Sequence, residues 1–497
     1  MIKPDYRVLW TWDYTTYWDN SYFPRAWGST GINCRREAFL RDYKRLIDFA
    51  SAHHYNGIVI WGAVRAHHDG FNQLKELVKY GRAKGVRVMP GVSAFGYGGV
   101  CYDPRSLYTG MAEQPMEEHP YSLYSWLQKH PEYASIDKNG QPLEHGRGPL
   151  SVLACPSRKE NLEWFKEGLS WLYEEFDVDG VQVEIGDYGQ CQCPLCAARR
   201  SKRSVSPWFS EEDMLNCYTA AINTSKAAKK DAWVICETYS GFAMKWKEKN
   251  NPDSVADLWG KTLLKDLPQS GIIQFNADRV TGGFATREWP DEWFSPVKNN
   301  IARIHAGSQH SQNGPADWGV NLVWDMVKNA RSHGINGVSI FGEESCFNPP
   351  NEANYLALEE AAGFGKDNPN CDEALFYAQT LDPLYGGSGL AKRWRELYIK
   401  SSMLRLGERL DNAEGKNRQM NGTDQNSRQP LEVLTDDPDF RQKALTMCKY
   451  DRVKALESYY AEARAISSKL SGDACGRWSW LENSLWNTRF IISTKED

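Results

Sequence analysis

No apolar run in this 497-residue chain reaches the ~18–20 residues that a membrane-spanning helix needs, so none of it reads as a transmembrane segment. The amino terminus, MIKPDYRVLW, lacks the charged-then-apolar layout of a secretory signal. As given, the chain is expected in the cytoplasm, or in the periplasm or outside the cell if a signal has been trimmed. No basic run occurs and the net charge is −5, which argues against a nucleic-acid partner. Neither a glycine-rich phosphate loop after the first strand nor a dinucleotide or Walker motif is present, which counts against nucleotide-binding open sheets. No cofactor is expected. What remains, at 41% hydrophobic and 25% charged residues, is an ordinary globular composition with room for two or three domains.

Aromatic residues are abundant, with 20 Trp and 24 Tyr. Their faces stack on the apolar faces of sugars, but they also fill cores, so composition alone only tilts the reading toward carbohydrate. The pattern along the chain says more. Strand-like alternation recurs at Tyr6 to Asp13, Asn56 to Gly62, Val86 to Ser93, Val181 to Ile185, Ala232 to Thr238, Gly271 to Asp278, Asn300 to Ala306 and Gly337 to Glu343. Helical spacing fills most gaps, as at Leu74, Leu77 and Val78, or Leu162, Phe165, Leu169 and Leu172. Ser157 to Glu160 has the form of a capping box opening the second of these helices.

Eight strands, each followed by a helix or a long loop, predict an α/β fold, a (β/α)₈ TIM barrel over residues 1–365 with an α-helical C-terminal region at 366–497. A doubly wound open sheet is the runner-up. The stretch from Phe95 to Ser157 shows no strong periodicity and carries many aromatics, which suits a wall of a binding cleft.

In such barrels the site is built at the carboxyl ends of the strands. Parity puts Thr11 and Asp13 on one face of the first strand and Trp10 and Trp12 on the other. Taking the polar face as inward gathers Asp13, Glu184, Asp278, His305 and Glu343 at one mouth, with Glu237 of ambiguous parity. Converging acids of this kind call for mutual pairing or a polar ligand. Two carboxylates flanking a bond are what glycoside hydrolysis requires, one to protonate the leaving oxygen and one to activate water or stabilise the oxocarbenium-like charge.

Glu184 is the candidate proton donor, with Asp278, Glu343 or the nearby Asp187 as its partner. A structural ion pair or a hydroxyl-binding acid is the competing role for each partner. Trp12, Trp61 and Trp126 are candidate sugar platforms, and Asp13, Glu237, Asn276, His305 and Glu344 complete the expected substrate-binding set. The expected partner is an oligosaccharide or polysaccharide, with neither membrane nor nucleic acid involved.

Cys191-x-Cys193-x-x-Cys196 follows Glu184 closely. Three thiolates at this spacing can hold zinc with Cys155 or a distant His as a fourth ligand, but no second CxxC pair completes the four-ligand signature. A structural role as free thiols, a disulfide or a metal knot is favoured over catalytic zinc. His67-His68-Asp69 also hints at metal, yet adjacent imidazoles in an extended segment point apart.

The run Glu184-x-Gly186-Asp187 ahead of CxCxxC, with Cys155-Pro156-Ser157 before a helix, resembles bacterial barrel glycosidases related to the N-acetyl-hexosaminidases, especially the group containing endo-β-N-acetylglucosaminidases. The segment from Phe376 to Tyr385-Gly386 is similar to the post-barrel part of these enzymes and of α-glucuronidases. The resemblance implies a retaining or inverting glycosidase acting on N-acetylhexosamine- or uronic-acid-containing glycans, with Glu184 or Asp187 at the family's acid position. Two departures stand out. The adjacent Asp-Glu pair of substrate-assisted hexosaminidases is absent, which argues against N-acetyl assistance, and the barrel is expected to begin the sequence as given, without the amino-terminal α/β domain common in these families, as in a trimmed chain or a shorter relative. The alternatives are a carbohydrate-binding barrel that has lost catalysis and a metal-dependent barrel enzyme built on the cysteines.

Overall fold

The computed structural model describes residues 4–13, 36–65, 69–96, 98–101, 118–143, 152–184, 189–200, 211–238, 266–277, 297–304, 318–341, 348–364, 372–411 and 438–494. Eight parallel strands close into a barrel in chain order: β1 (Tyr6–Trp12), β2 (Gly57–Trp61), β3 (Arg87–Ser93), β4 (Gly180–Glu184), β5 (Trp233–Glu237), β6 (Ile272–Asn276), β7 (Asn299–Ile304) and β8 (Gly337–Phe341). The ring is sealed where Tyr6 pairs with Gly337 and Trp10 with Phe341. All eight expected strands are present, within a residue or two at their ends.

Outside the barrel run α1 (Arg36–Ala52), α2 (Gly70–Ala83), α3 (Leu123–Lys129), α4 (Lys159–Phe176), α5 (Pro194–Arg199), α6 (Glu211–Ala228), α7 (Val320–Ser332) and α8 (Pro349–Ala362). Strand residues of one parity pack on these helices. Ile58, Ile60, Val181, Val183, Val234, Ile273 and Ile304 share one continuous core with Leu46 of α1, Leu77 of α2, Leu169 of α4 and Val323 of α7. Each such aliphatic side chain taken fully out of water stabilises the fold by about 1.5–3 kcal/mol. The other parity faces inward, where Val8, Trp10, Trp12, Val59, Trp61, Met89, Ile235, Ile272 and Ile301 form a separate inner cluster.

This sorting overturns the parity assigned to β1. Trp10 and Trp12 face inward, whereas the Thr11 hydroxyl lies outside, 2.8 Å from the Tyr43 hydroxyl of α1. Polarity misleads here because an indole is apolar over its face but carries one donor. Inside the barrel both Trp10 and Trp61 donate that N–H to Gln182 Oε1, at 2.6 and 2.7 Å. Thr11 is satisfied outside the barrel instead.

Room for the Trp61 ring comes from its neighbour on β3. Trp61 pairs with Gly91, and a Cβ at residue 91 would sit 2.3 Å from the indole. We therefore expect Gly91→Ala to destabilise the protein by about 1–3 kcal/mol through overpacking. A denaturant midpoint unchanged from wild type would show that the ring has slack.

The capping box also resolves differently. The N-cap of α4 is Arg158, with no side-chain cap, and the Ser157 hydroxyl lies 3.0 Å from Cys196 Sγ instead. A neighbouring sulfur outcompeted the helix for that hydroxyl. The long stretch after β3 contains α3, which the sequence pattern did not reveal. Seven residues carry too few repeats for a period, although Leu123 and Leu127 are buried together with Ser125.

Beyond α8 the chain is helical among the described residues, over Glu373–Phe376, Asp382–Tyr385, Leu390–Asp411, Pro438–Thr446, Lys449–Ser467 and Gly472–Thr494. Here Trp394, Trp478 and Trp480 are buried. The last helix is tied to α8 by a two-pronged ion pair, Arg477 Nε to Glu352 Oε2 at 2.7 Å and Arg477 Nη2 to Glu352 Oε1 at 2.6 Å. None of the described helices is long and apolar enough to cross a membrane.

Candidate active site

Glu184 is the last residue of β4, on the inward parity with Gln182, and 5% of it is exposed. Val183 pairs with Cys236, so Glu184 and Glu237 finish adjacent strands side by side. Parallel neighbours lie about 4.8 Å apart, which sets the spacing of the two stems. Glu237, whose parity was ambiguous, faces the barrel interior. Its Oε2 accepts 2.6 Å from Gln274 Nε2 of β6 and lies 3.2 Å from Arg303 Nη1 of β7. Both Glu237 and Arg303 are fully buried, so the guanidinium compensates the carboxylate where water does not reach. From the helix side of the sheet the Tyr218 hydroxyl of α6 donates to the Glu237 carbonyl oxygen, and burial raises this phenol well above its ordinary range.

One half of the mouth is therefore a polar arc running from β4 to β8 through Glu184, Glu237, Gln274, Arg303 and Ser339. Gln274 Oε1 and Ser339 Oγ are buried with no hydrogen-bond partner among the described residues, so the arc keeps capacity for a polar ligand. The opposite half is aromatic. Trp12 lies edge-on to Trp10 at 5.6 Å and tilted against Trp61 at 5.7 Å. A polar arc facing indoles suits a sugar, which offers hydroxyls at its rim and C–H groups on its faces.

Asp13, expected in the acid cluster, is committed elsewhere. Its Oδ2 lies 2.5 Å from Arg65 Nε, and both side chains are fully buried. The pair joins the loop after β1 to the loop after β2, because Arg65 comes four residues beyond the strand end at Trp61. A short polar turn needs a counter-ion once it is buried, and the arginine supplies it.

Trp61, 1% exposed, is covered by the inner cluster, while Trp12 lies one strand over at the same level. Trp126 belongs to α3, where its N–H reaches Asn161 Oδ1 at 2.8 Å and its ring stacks on Trp164 at 5.8 Å and Tyr133 at 5.9 Å. Asp187, Asp278, His305, Glu343 and Glu344 lie outside the described residues, as do His67 and His68. For Asn276 only the backbone is described, paired with Arg303 at the end of β6.

Sequence reasoning missed Arg303, Gln274 and Arg65 as partners of these acids. The alternation on the sixth and seventh strands placed Gln274 and Arg303 inward, and a lone inward arginine is itself a sign that a buried acid faces it.

The cysteines of the segments after β3 and β4 converge. Cys155, Cys191, Cys193 and Cys196 are all buried, and their sulfurs lie within 4.8 Å of one another. Crowding splits their proton affinities. Hydrogen bonds from Cys155 and Cys191 pull Cys196 far below the usual thiol range, while Cys155 is driven far above it.

No protein-family model matches the chain, and no curated protein matches it. Solved structures do. The chain is similar to a GH138 enzyme targeting pectin rhamnogalacturonan II at 11% identity and a TM-score of 0.49, over 99% of this chain and 57% of that one. It is similar to a β-N-acetylhexosaminidase from Bacteroides fragilis at 15% identity and a TM-score of 0.44, over 76% of this chain and 69% of that one. A GH20 exo-β-N-acetylglucosaminidase from Vibrio harveyi follows at 10% identity and a TM-score of 0.37, over 73% of this chain and 54% of that one. The structural neighbours are glycoside hydrolases. The chain spans 57% of the length of the GH138 structure.

Proposed function

We propose that this protein is a glycoside hydrolase in which Glu184 donates the proton to the leaving oxygen. The observation that supports this reading most directly is the position of Glu184. It sits at the carboxyl end of an inward-facing barrel strand, beside a carboxylate whose charge Arg303 compensates and across from two indoles. Glu237 is sealed by Gln274 and Arg303, which suits it to shaping the floor of the mouth rather than to attacking the sugar. The carboxylate that activates water or traps the sugar is then Asp187, Asp278 or Glu343. Glycans bearing N-acetylhexosamine or uronic acid are the substrates to try first.

Wild-type protein incubated with a panel of aryl glycosides, N-acetylhexosaminides and glucuronides among them, is expected to release the aglycone from one sugar class. Pectic and N-acetylated oligosaccharides, followed by chromatography, extend the panel beyond activated leaving groups. A chain that releases nothing from any of them, yet binds a glycan in calorimetry, would be a binding barrel and would end the catalytic reading.

A further inference from the structure

We propose that Cys155, Cys191, Cys193 and Cys196 hold a structural zinc ion that clamps the loop following β3 to the loop following β4. The inference stands apart from the glycosidase reading, since it concerns how the mouth is built and not what reacts there.

Geometry carries it. Cys155 Sγ lies 3.7 Å from the sulfur of Cys191, 3.6 Å from that of Cys193 and 3.6 Å from that of Cys196. A disulfide would bring two sulfurs to about 2.05 Å, and none of the four is bonded so. Four thiolates around zinc at about 2.3 Å each would stand about 3.8 Å apart along the tetrahedron's edges. The three distances from Cys155 match that edge, and all four sulfurs lie within 4.8 Å of one another. The four form a buried cluster of their own, set apart from both hydrophobic cores, with Ile136 the partly buried residue packed against it.

The backbone around the cluster is arranged in advance. Cys155 N donates to Tyr133 O at 2.9 Å within the segment after β3, and Gln192 N donates to Ile136 O at 2.7 Å, which lays the loop after β4 against that segment. Cys193 is the N-cap of α5, and its sulfur accepts from Cys196 N at 3.4 Å. The Ser157 hydroxyl is 3.0 Å from Cys196 Sγ and accepts from Arg199 Nε at 3.3 Å. Arg200 meanwhile donates to the Cys191 carbonyl. Two guanidiniums thus flank a site whose occupied form carries two net negative charges, four thiolates on one Zn²⁺. Asp213, ion-paired with Arg199, tempers that compensation.

Softness selects the metal. An all-sulfur tetrahedral set suits zinc or iron and excludes magnesium and calcium, which take oxygen. Four protein ligands also leave no open position for water or substrate, so the ion is structural and not a Lewis acid for the reaction. Its effect reaches the site through the chain, because the clamped loop begins at Glu184 and contains Asp187.

The test is metal analysis of the full chain purified without chelators. About one zinc per chain is expected by inductively coupled plasma mass spectrometry. Cys193→Ser and Cys155→Ser should each lower that ratio at least about tenfold, while Cys475→Ser, outside the cluster, should leave it unchanged. Should the cluster variants fail to fold, the wild type still decides. A mercurial titration should release zinc in step with modification of the clustered thiols, and cobalt(II) exchanged into the site should show sulfur-to-cobalt charge-transfer bands. Three results would overturn the proposal: a folded, metal-free chain whose cluster thiols react freely, a non-reduced mass short by the hydrogens of a disulfide, or iron in place of zinc.

Discussion

Glu184→Gln is expected to cut kcat/KM on a natural glycan by about 10²–10⁴-fold, the contribution typical of a positioned general acid. The substitution keeps the shape of the side chain and removes only its capacity to give up a proton, so binding should survive. Leaving-group chemistry makes the prediction sharper. An aglycone such as a nitrophenolate departs without much help, whereas a sugar alkoxide does not. The variant should therefore lose far more activity on an oligosaccharide than on a nitrophenyl glycoside, and the basic limb of its pH profile should flatten. Equal losses on both substrates, with that limb intact, would assign Glu184 to sugar binding and move the acid to Asp187.

The barrel was legible because its signal is redundant. Eight alternating runs separated by helical spacing specify a closed parallel sheet even when single ends are misplaced by a residue, since every strand must bury its outward face against helices. Inward identity was less secure. On β4, β6 and β7 the outward face carries Val181, Val183, Ile273, Phe275, Ala302 and Ile304 and leaves Gln182, Gln274 and Arg303 inside, as their contacts with Trp10 and Glu237 bear out. On β1 the choice lay between threonine with aspartate and a pair of tryptophans, and hydrophobicity gave the wrong answer. Which residue faces in was settled by Gln182, a partner 172 positions from Trp10 that no local pattern announces.

The same holds for long-range partners in general. The spacing of Cys191, Cys193 and Cys196 is a local fact, while the fourth thiol arrives from the far side of α4 and β4. Cys155 could be named only as one option beside a distant histidine. Asp13 looked like one more acid at the mouth because sequence shows the charge and hides the arginine that cancels it.

That arginine gives the largest stability effect to be expected here. Asp13 and Arg65 meet at 2.5 Å with neither side chain reaching solvent. Asp13→Ala would leave a guanidinium buried beside a methyl group, and breaking a buried pair in this way costs about 3–5 kcal/mol. The local backbone offers little relief. Gly62, with φ of +77°, holds the turn between β2 and Arg65, and a Cβ there would come within 2.7 Å of both charged groups, so the two loops are already in close contact. Replacing both partners removes the charge as well as its counter-ion. Asp13→Ala/Arg65→Met should therefore recover much of the loss, since apolar substitutes for buried pairs are often neutral or better. Urea midpoints of the wild type, the two single variants and the double variant form the cycle. A double variant no more stable than Asp13→Ala would mean that Asp13 holds its loop through other contacts, and that the ion pair is a by-product of that placement.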